Sequence, residues 1–244
     1  MGIGVGIGDP DLITIGAVKS IRESDFLCLP NKDKSKCRAY QIASMAVSDI
    51  SEKQTICFDF EMTKEKDALE KRHQAIYEMI KPLSKSGNTV SFLTIGDPTL
   101  YSTFAYIAGL ARKDGTEVRI VNGVDSITAC AARMGIFLCE GSTQLHVIPD
   151  ISDLDEALQI SGTKVIMKCG NSMEVVRDRL IRLEEEKSTE GASVGIYAIA
   201  DCGMPQEKTY IGAENLPKED HYMMTIIVKE EDNICWTDRS HFIM

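Results

Sequence analysis

At 244 residues, 43% hydrophobic and 26% charged, the chain is globular in character and long enough for one large domain or two ordinary ones. Its net charge of −10 argues against non-specific binding to nucleic acid or to an anionic membrane, both of which present negative charge to it. No apolar run reaches the roughly 18 residues that span a bilayer, and no basic-then-apolar leader opens the chain, so a cytoplasmic location is expected.

The opening stretch "GIGVGIG" reads as a short strand running into a glycine turn at Gly8-Asp9-Pro10. It is not a dinucleotide fingerprint, because Asp9 stands where the third glycine belongs, and it lacks the Gly-Lys-Ser/Thr of a phosphate loop. Leu12, Ile15, Val18 and Ile21 then fall at helical spacing, with Asp9 or Asp11 as cap. "DFLCLP" is a buried-type strand stopped by Pro30, and the loop "NKDKSKCR" crowds Lys32, Lys34, Lys36 and Arg38 together. On charge alone, that loop is as readily a solvated surface as an anion site.

Residues 38–47 and 64–84 read as helices, and His73 borders the apolar stripe of the second as a structural residue. A strand from Thr89 ends in a second Gly-Asp-Pro turn at 96–98, followed by a helix through Lys113. "RKDGTE" at 112–117 is polar and is expected to link two units, 1–113 and 117–230, with 231–244 as a tail.

Beyond it the pattern gives the strand "VRIV", a small-residue helix "SITACAARMG", the strand "QLHVIP", a helix near 153–160 and the strand "KVIMKCG". A charged helix at 171–186 precedes three strands, "SVGIYAIA", "KTYIG" and "MMTIIVKE", with no helix between them. The expected class is therefore α/β, with a mostly parallel N-terminal sheet and a mixed C-terminal one. The eight cysteines, Cys235 among them, form no C-x-x-C pair, which predicts free thiols and no metal site.

Six stretches in order resemble the tetrapyrrole methylases: "GVGIGDPDLIT" at 4–14, "TIGDPTLYSTF" at 94–104, "NGVDSITACAA" at 122–132, "VIMKCG" at 165–170, "MPQEK" at 204–208 and "TIIV" at 225–228. "FLCEG" at 137–141 fits as well, and "GDPTLYST" resembles the branch acting on C20 of precorrin-2. Ile7 and Asn122 stand where the family has prolines, and Asp125 where it has a serine.

The resemblance implies two α/β domains of the class III methyltransferase type, with S-adenosylmethionine in a cleft between them. It also implies a homodimer and methylation of precorrin-2 or cobalt-precorrin-2 in cobalamin biosynthesis. Ile95, Gly96, Asp97, Leu100, Ser126 and Ile127 then match cofactor positions, as do Lys168, Cys169 and Cys202. Gly6, Ile7, Gly8 and Asp9 would form a smooth floor for the macrocycle, and Lys32, Lys34, Lys36 and Arg38 would hold its carboxylates. Asp97 or Asp9 is a candidate for taking the C20 proton, with Tyr101 orienting the ring; loss of that proton to water or to a group of the substrate is the competing route. A sister corrin methylase acting at another carbon and a non-catalytic cofactor-binding module are the alternatives. Transfer to ribosomal RNA fits poorly with the acidity.

Overall fold

The computed structural model describes residues 1–59, 65–169, 171–221 and 223–231. The chain divides into two compact units, with the division between Asp125 and Ser126.

The first unit is built on a five-stranded sheet: β1 (Gly2–Gly4), β2 (Phe26–Leu29), β3 (Gln54–Cys57), β4 (Val90–Thr94) and β5 (Ile120–Val121), in the order β3-β2-β4-β1-β5. Every pairing in it is parallel. The strands are near-continuous apolar runs because both sheet faces are covered, which is the pattern of a buried parallel sheet.

Helices α3 (Lys66–Lys85) and α4 (Phe104–Lys113) each bury one stripe: His73, Ile76, Tyr77 and Ile80, and Phe104, Ile107, Ala108 and Ala111. Both stripes follow i, i+3, i+4, i+7 and share a core with Cys28, Phe58 and Phe92. His73 is buried as expected and stacks on Tyr106 with ring centres 4.5 Å apart; burial, then the nearby Arg72 charge, lowers its pKa. Helices α1 (Ile15–Glu23) and α2 (Arg38–Ala46) lie against β1, β5 and β4. Between β2 and its neighbour, the buried hydroxyls of Ser24 and Ser91 satisfy each other at 2.6 Å.

The second unit also has a five-stranded sheet, in the order β6-β7-β10-β8-β9. Its strands are β6 (Leu145–Ile148), β7 (Thr163–Met167), β8 (Ser193–Ala200), β9 (Lys208–Ile211) and β10 (Met224–Glu231). Only β6 and β7 pair in parallel; β10 runs antiparallel to both β7 and β8, so the sheet is mixed as expected. Its α-helices among the described residues are α5 (Ser126–Arg133), α6 (Leu154–Gln159) and α7 (Met173–Thr189), and the last buries Met173, Val176, Leu180 and Leu183 against the sheet.

Three details depart from the expectations. The predicted helix after Asp9 is broken: Asp9 caps only a 3-10 turn at Pro10–Leu12, and Thr14 caps α1 by accepting the Ala17 amide at 3.0 Å. Ile15 is consequently 75% exposed instead of buried in a stripe. The boundary lies later than 113, because β5 pairs with β1 and belongs to the first unit. The "RKDGTE" segment is the end of α4 and a turn within that unit. Three consecutive strands with no helix between them suggest antiparallel hairpins; β8 and β9 pair that way, but β10 inserts between β7 and β8. Residues 232–244 of the expected tail, with Cys235, and Gly170 of the "VIMKCG" stretch lie outside the described residues.

No helix among the described residues is long and apolar enough to cross a membrane. No two of the described cysteines form a disulfide, and no cluster of metal-binding side chains occurs among the described residues.

The tightest backbone approach in the first unit joins Gly123 to Gly4 and Gly96. A Cβ on Gly123 would lie 2.2 Å from the Gly96 carbonyl oxygen and 2.8 Å from the Gly4 Cα. Gly123→Ala is expected to destabilise the protein by about 2–3 kcal/mol through forced backbone displacement. Urea denaturation read by circular dichroism measures this; an unchanged midpoint would contradict the crowding.

Candidate functional site

In an all-parallel sheet every strand ends at the same edge, and ligands bind beyond that edge where the strand order reverses. The chain leaves β1 on one side to form β2 and β3, returns to place β4 beside β1, then adds β5 on β1's far side. Adjacent β4, β1 and β5 therefore deliver three glycine-bearing loops side by side: Ile95–Tyr101, Val5–Pro10 and Asn122–Asp125.

Backbone hydrogen bonds join these loops. The Val5 amide donates to the Thr94 carbonyl at 3.0 Å, and the Gly96 amide donates to the Gly6 carbonyl at 2.8 Å. The Thr14 hydroxyl donates to the Asn122 carbonyl at 3.1 Å, tying the start of α1 to the third loop.

Asp97 binds the assembly with its side chain. Its Oδ1 accepts the Thr99 amide (2.7 Å) and hydroxyl (2.5 Å), and its Oδ2 accepts Asn122 Nδ2 (3.1 Å) and the Gly123 amide (3.0 Å). Burial pushes the Asp97 carboxyl upward, but the hydrogen bonds from Thr99, Asn122 and Gly123 outweigh it and leave the group below the ordinary carboxylate range. So engaged, Asp97 is a poor receiver for a substrate proton and a strong brace. Asn122, where the resembled family has proline, supplies one of the four donors.

The other expected residues are placed as follows. Asp9 is half-buried; its Oδ1 accepts the Asp11 amide at 2.9 Å, and its Oδ2 has no hydrogen-bond partner among the described residues. Gly6, Ile7 and Gly8 are buried, Ile7 to 4% exposure, which is not the open floor the glycines suggested. Gly96 is also buried; its φ of +71° favours glycine, and an added Cβ there would touch the Asp125 Cα at 3.9 Å, an ordinary contact. Ile95 and Leu100 are half-buried beside it. Tyr101 is 44% exposed and holds a left-handed backbone at φ +50°, a strained conformation that cues a functional role.

The basic loop follows β2, at this same edge. Lys32 pairs with Asp59 at 2.6 Å, Lys36 with Asp33 at 3.8 Å, and Lys34 lies 4.6 Å over the Tyr40 ring, while Arg38 begins α2. The Lys32 and Lys36 side chains are 71% and 77% exposed, so these ion pairs are weak and exchangeable. The loop itself is ordered by Asn31 and Asp33, whose side chains accept the Asp33 and Ser35 amides at 2.9 Å each.

In the second unit, Ser126 is half-buried at the start of α5 and Ile127 is buried. Lys168 is exposed and left-handed (φ +56°) at the end of β7. Cys169 instead packs into the core, its Sγ 3.7 Å from Met173 Sδ, and burial pushes its thiol up to about 11. Cys202 is buried and shares a hydrogen bond with Cys130, which, ahead of burial, raises the Cys130 thiol above its ordinary range. Asp201, left-handed at φ +48° after β8, was not singled out by the sequence, since nothing in an aspartate marks a positive φ. Thr99 and Asn122 were missed too; their role depends on Asp97, whose distance from Asn122 along the chain is 25 residues.

Residues 1–216 match the family profile of the tetrapyrrole (corrin/porphyrin) methylases. A probable cobalt-precorrin-2 C(20)-methyltransferase of Methanocaldococcus jannaschii is 34% identical over 217 residues, 86% of this chain and 92% of that protein. A cobalt-precorrin-2 C(20)-methyltransferase of Salmonella typhimurium is 27% identical, covering 94% of this chain and 95% of its own. Among solved structures, a cobalt-precorrin-4 methyltransferase superposes with a TM-score of 0.71 at 17% identity, covering 93% of each chain. A uroporphyrin-III C-methyltransferase of Thermus thermophilus, complexed with S-adenosylhomocysteine, gives 0.66 at 16% identity, covering 93% of this chain and 95% of that one. These likenesses bear out the expected two-sheet fold.

Asp97→Ala removes an acceptor of four hydrogen bonds and strands the Gly123 amide. A loss of about 2–3 kcal/mol is expected in chemical denaturation. The wild-type carboxyl is held below its ordinary 3.8, so its contribution is complete above that pH and fades as pH falls through the lowered native value. The variant should therefore lose less stability than wild type on acidification below pH 3.8; parallel acid limbs would refute the brace.

Proposed function

This chain belongs to the tetrapyrrole (corrin/porphyrin) methylases, and we propose that it methylates C20 of precorrin-2 or its cobalt form, with S-adenosylmethionine as donor. The observation that carries the reading is the junction of three glycine loops beyond β4, β1 and β5, on a chain whose relatives across nearly its whole length are named for that reaction. The positive φ of Gly96 and the backbone-to-backbone junction beside it bring main-chain groups to the strand-end edge, which suits a ligand held by backbone, so the residues present fit the cofactor.

S-adenosylmethionine, when bound, supplies a methyl group already activated on a sulfonium. The protein's work is then alignment and exclusion of water more than covalent chemistry. Ile95, Gly96 and Leu100 are the first unit's binding residues in this reading, with Asp97 holding their loop in place rather than reacting. Ser126, Ile127, Lys168 and the Cys202 turn are those of the second unit.

The acceptor carries eight carboxylate side chains, which a protein of net charge −10 must meet with local cations. Lys32, Lys34, Lys36 and Arg38 supply them at the right edge, and the exposed Lys32 and Lys36 exchange their partners Asp59 and Asp33 for substrate. As the C20–methyl bond forms, the C20–H bond must release its proton. Asp9, with a free Oδ2, is the better placed carboxylate of the two expected, and Tyr101 orients the ring. A cytoplasmic homodimer completes the reading, and light scattering would report the dimer.

The test is anaerobic incubation with S-adenosylmethionine and either metal-free or cobalt-loaded precorrin-2, read by mass and carbon NMR. One methyl gained at C20 is expected, faster on the preferred form. A methyl at another carbon would make the protein a sister methylase, and no gain on either form would refute the assignment.

The double variant Lys32→Ala/Lys36→Ala is expected to raise the substrate KM about three- to tenfold, as two exposed charge pairs worth up to about 1 kcal/mol each imply. The kcat should stay near wild type, and the difference should shrink at high salt. An unchanged KM at low ionic strength would remove the basic loop from substrate binding.

A further inference from the structure

Among the described residues, one buried side-chain nitrogen or oxygen has no hydrogen-bond partner: Nδ1 of His221. The other ring nitrogen, Nε2, lies 3.1 Å from Oδ2 of Asp201, whose carboxylate is only 6% exposed. Asp201 is itself fixed. It follows β8 in a left-handed conformation, donates its amide to the Met223 carbonyl at 2.9 Å, and accepts the Met204 amide on its own carbonyl at 2.9 Å.

A carboxylate can only accept, so Nε2 carries a proton in this pair, and whenever the ring holds that proton alone Nδ1 presents a lone pair. A buried acceptor without a donor is an exception that native structures resolve with water or a ligand. The position favours a ligand. Strands β7 and β8 both run antiparallel to β10, so Lys168–Cys169, Asp201–Cys202 and the His221 approach to β10 share one edge of the second sheet.

We propose that His221 Nδ1 accepts a hydrogen bond from the nucleoside part of the methyl donor, and that Asp201 is the positioning residue that sets the tautomer. The inference rests on the methyl-donor reading above. Substrate carboxylates at neutral pH offer only acceptors and cannot satisfy this lone pair, whereas ribose hydroxyls and the adenine amino group are donors. Asp201 thus acts as the aspartate of a catalytic triad does, fixing one nitrogen so that the other is available.

The test is calorimetric binding of S-adenosylhomocysteine to wild type, His221→Phe and Asp201→Asn, with the melting temperature of each ligand-free protein. His221→Phe keeps the bulk of the ring and is expected to weaken binding about three- to tenfold, with a lowered melting temperature because the buried Asp201 carboxylate loses its donor. The 2′,3′-dideoxy and N6,N6-dimethyl analogues locate the donor: one of them loses the same factor on wild type and nothing further on His221→Phe.

Asp201→Asn can donate its amide to Nε2 and move the ring proton to Nδ1. Nitrogen-15 NMR should then show Nδ1 changing from bare to protonated, with affinity falling although the histidine remains. Wild-type affinity in a normally folded His221→Phe would overturn the proposal, as would equal losses for both analogues on both proteins. Wild type failing to bind S-adenosylhomocysteine at all would instead sink the methyl-donor reading, and this inference with it.

Discussion

The first unit depends on one contact: main chain against main chain where the loops after β4, β1 and β5 meet. Gly4 and Gly123 approach each other and the Gly96 carbonyl more closely than a Cβ would permit, and Asp97 holds the junction with four donors from two loops. Strand order follows from the same point. Only if β4 and β5 flank β1 do these glycines converge. The carboxylate at the centre is ionised because its neighbours are donors, and it braces because it is ionised.

The two units use different packing. The first buries a parallel sheet by covering both faces, so its strands carry no alternation. The second uses β10 as an antiparallel insert between β7 and β8, which brings the ends of two strands and the start of a third to one edge. Lys168 and Asp201, at equivalent strand ends, both adopt left-handed backbone there. Strain of this kind persists where surrounding structure over-determines it, and it gathers at working edges.

Most of the architecture was legible because periodicity and glycine turns are local signals. The apolar runs of β2 and β4 and the stripes of α3 and α4 needed no tertiary information. The misreadings all involve partners distant in sequence or competing local solutions. Asp9, Asp11 and Thr14 are each acceptable caps, and only packing decides that Thr14 begins α1. The domain boundary was drawn at a polar turn, whereas the pairing of β5 with β1 moved it to Asp125. Cys169 matched a motif position, yet strand alternation and Met173 draw its thiol into the core. Neither the Asn122 and Gly123 donors to Asp97 nor the His221–Asp201 pair leaves a mark in spacing, because each joins segments that meet only in the folded chain.

The strand order also sets a timetable for folding. β1 occupies residues 2–4, yet its ladder partners are β4, which ends at Thr94, and β5, which ends at Val121. At ribosomal speeds of roughly 5–20 residues per second, the first strand waits on the order of 6–24 s before its second neighbour has been made. Until β4 has been made its apolar residues have no sheet to enter, and the loop closures that must precede them are long. The glycine junction is therefore the last part of the first unit that can assemble. A chain arrested anywhere before residue 121 lacks not a fraction of the site but its geometry as a whole.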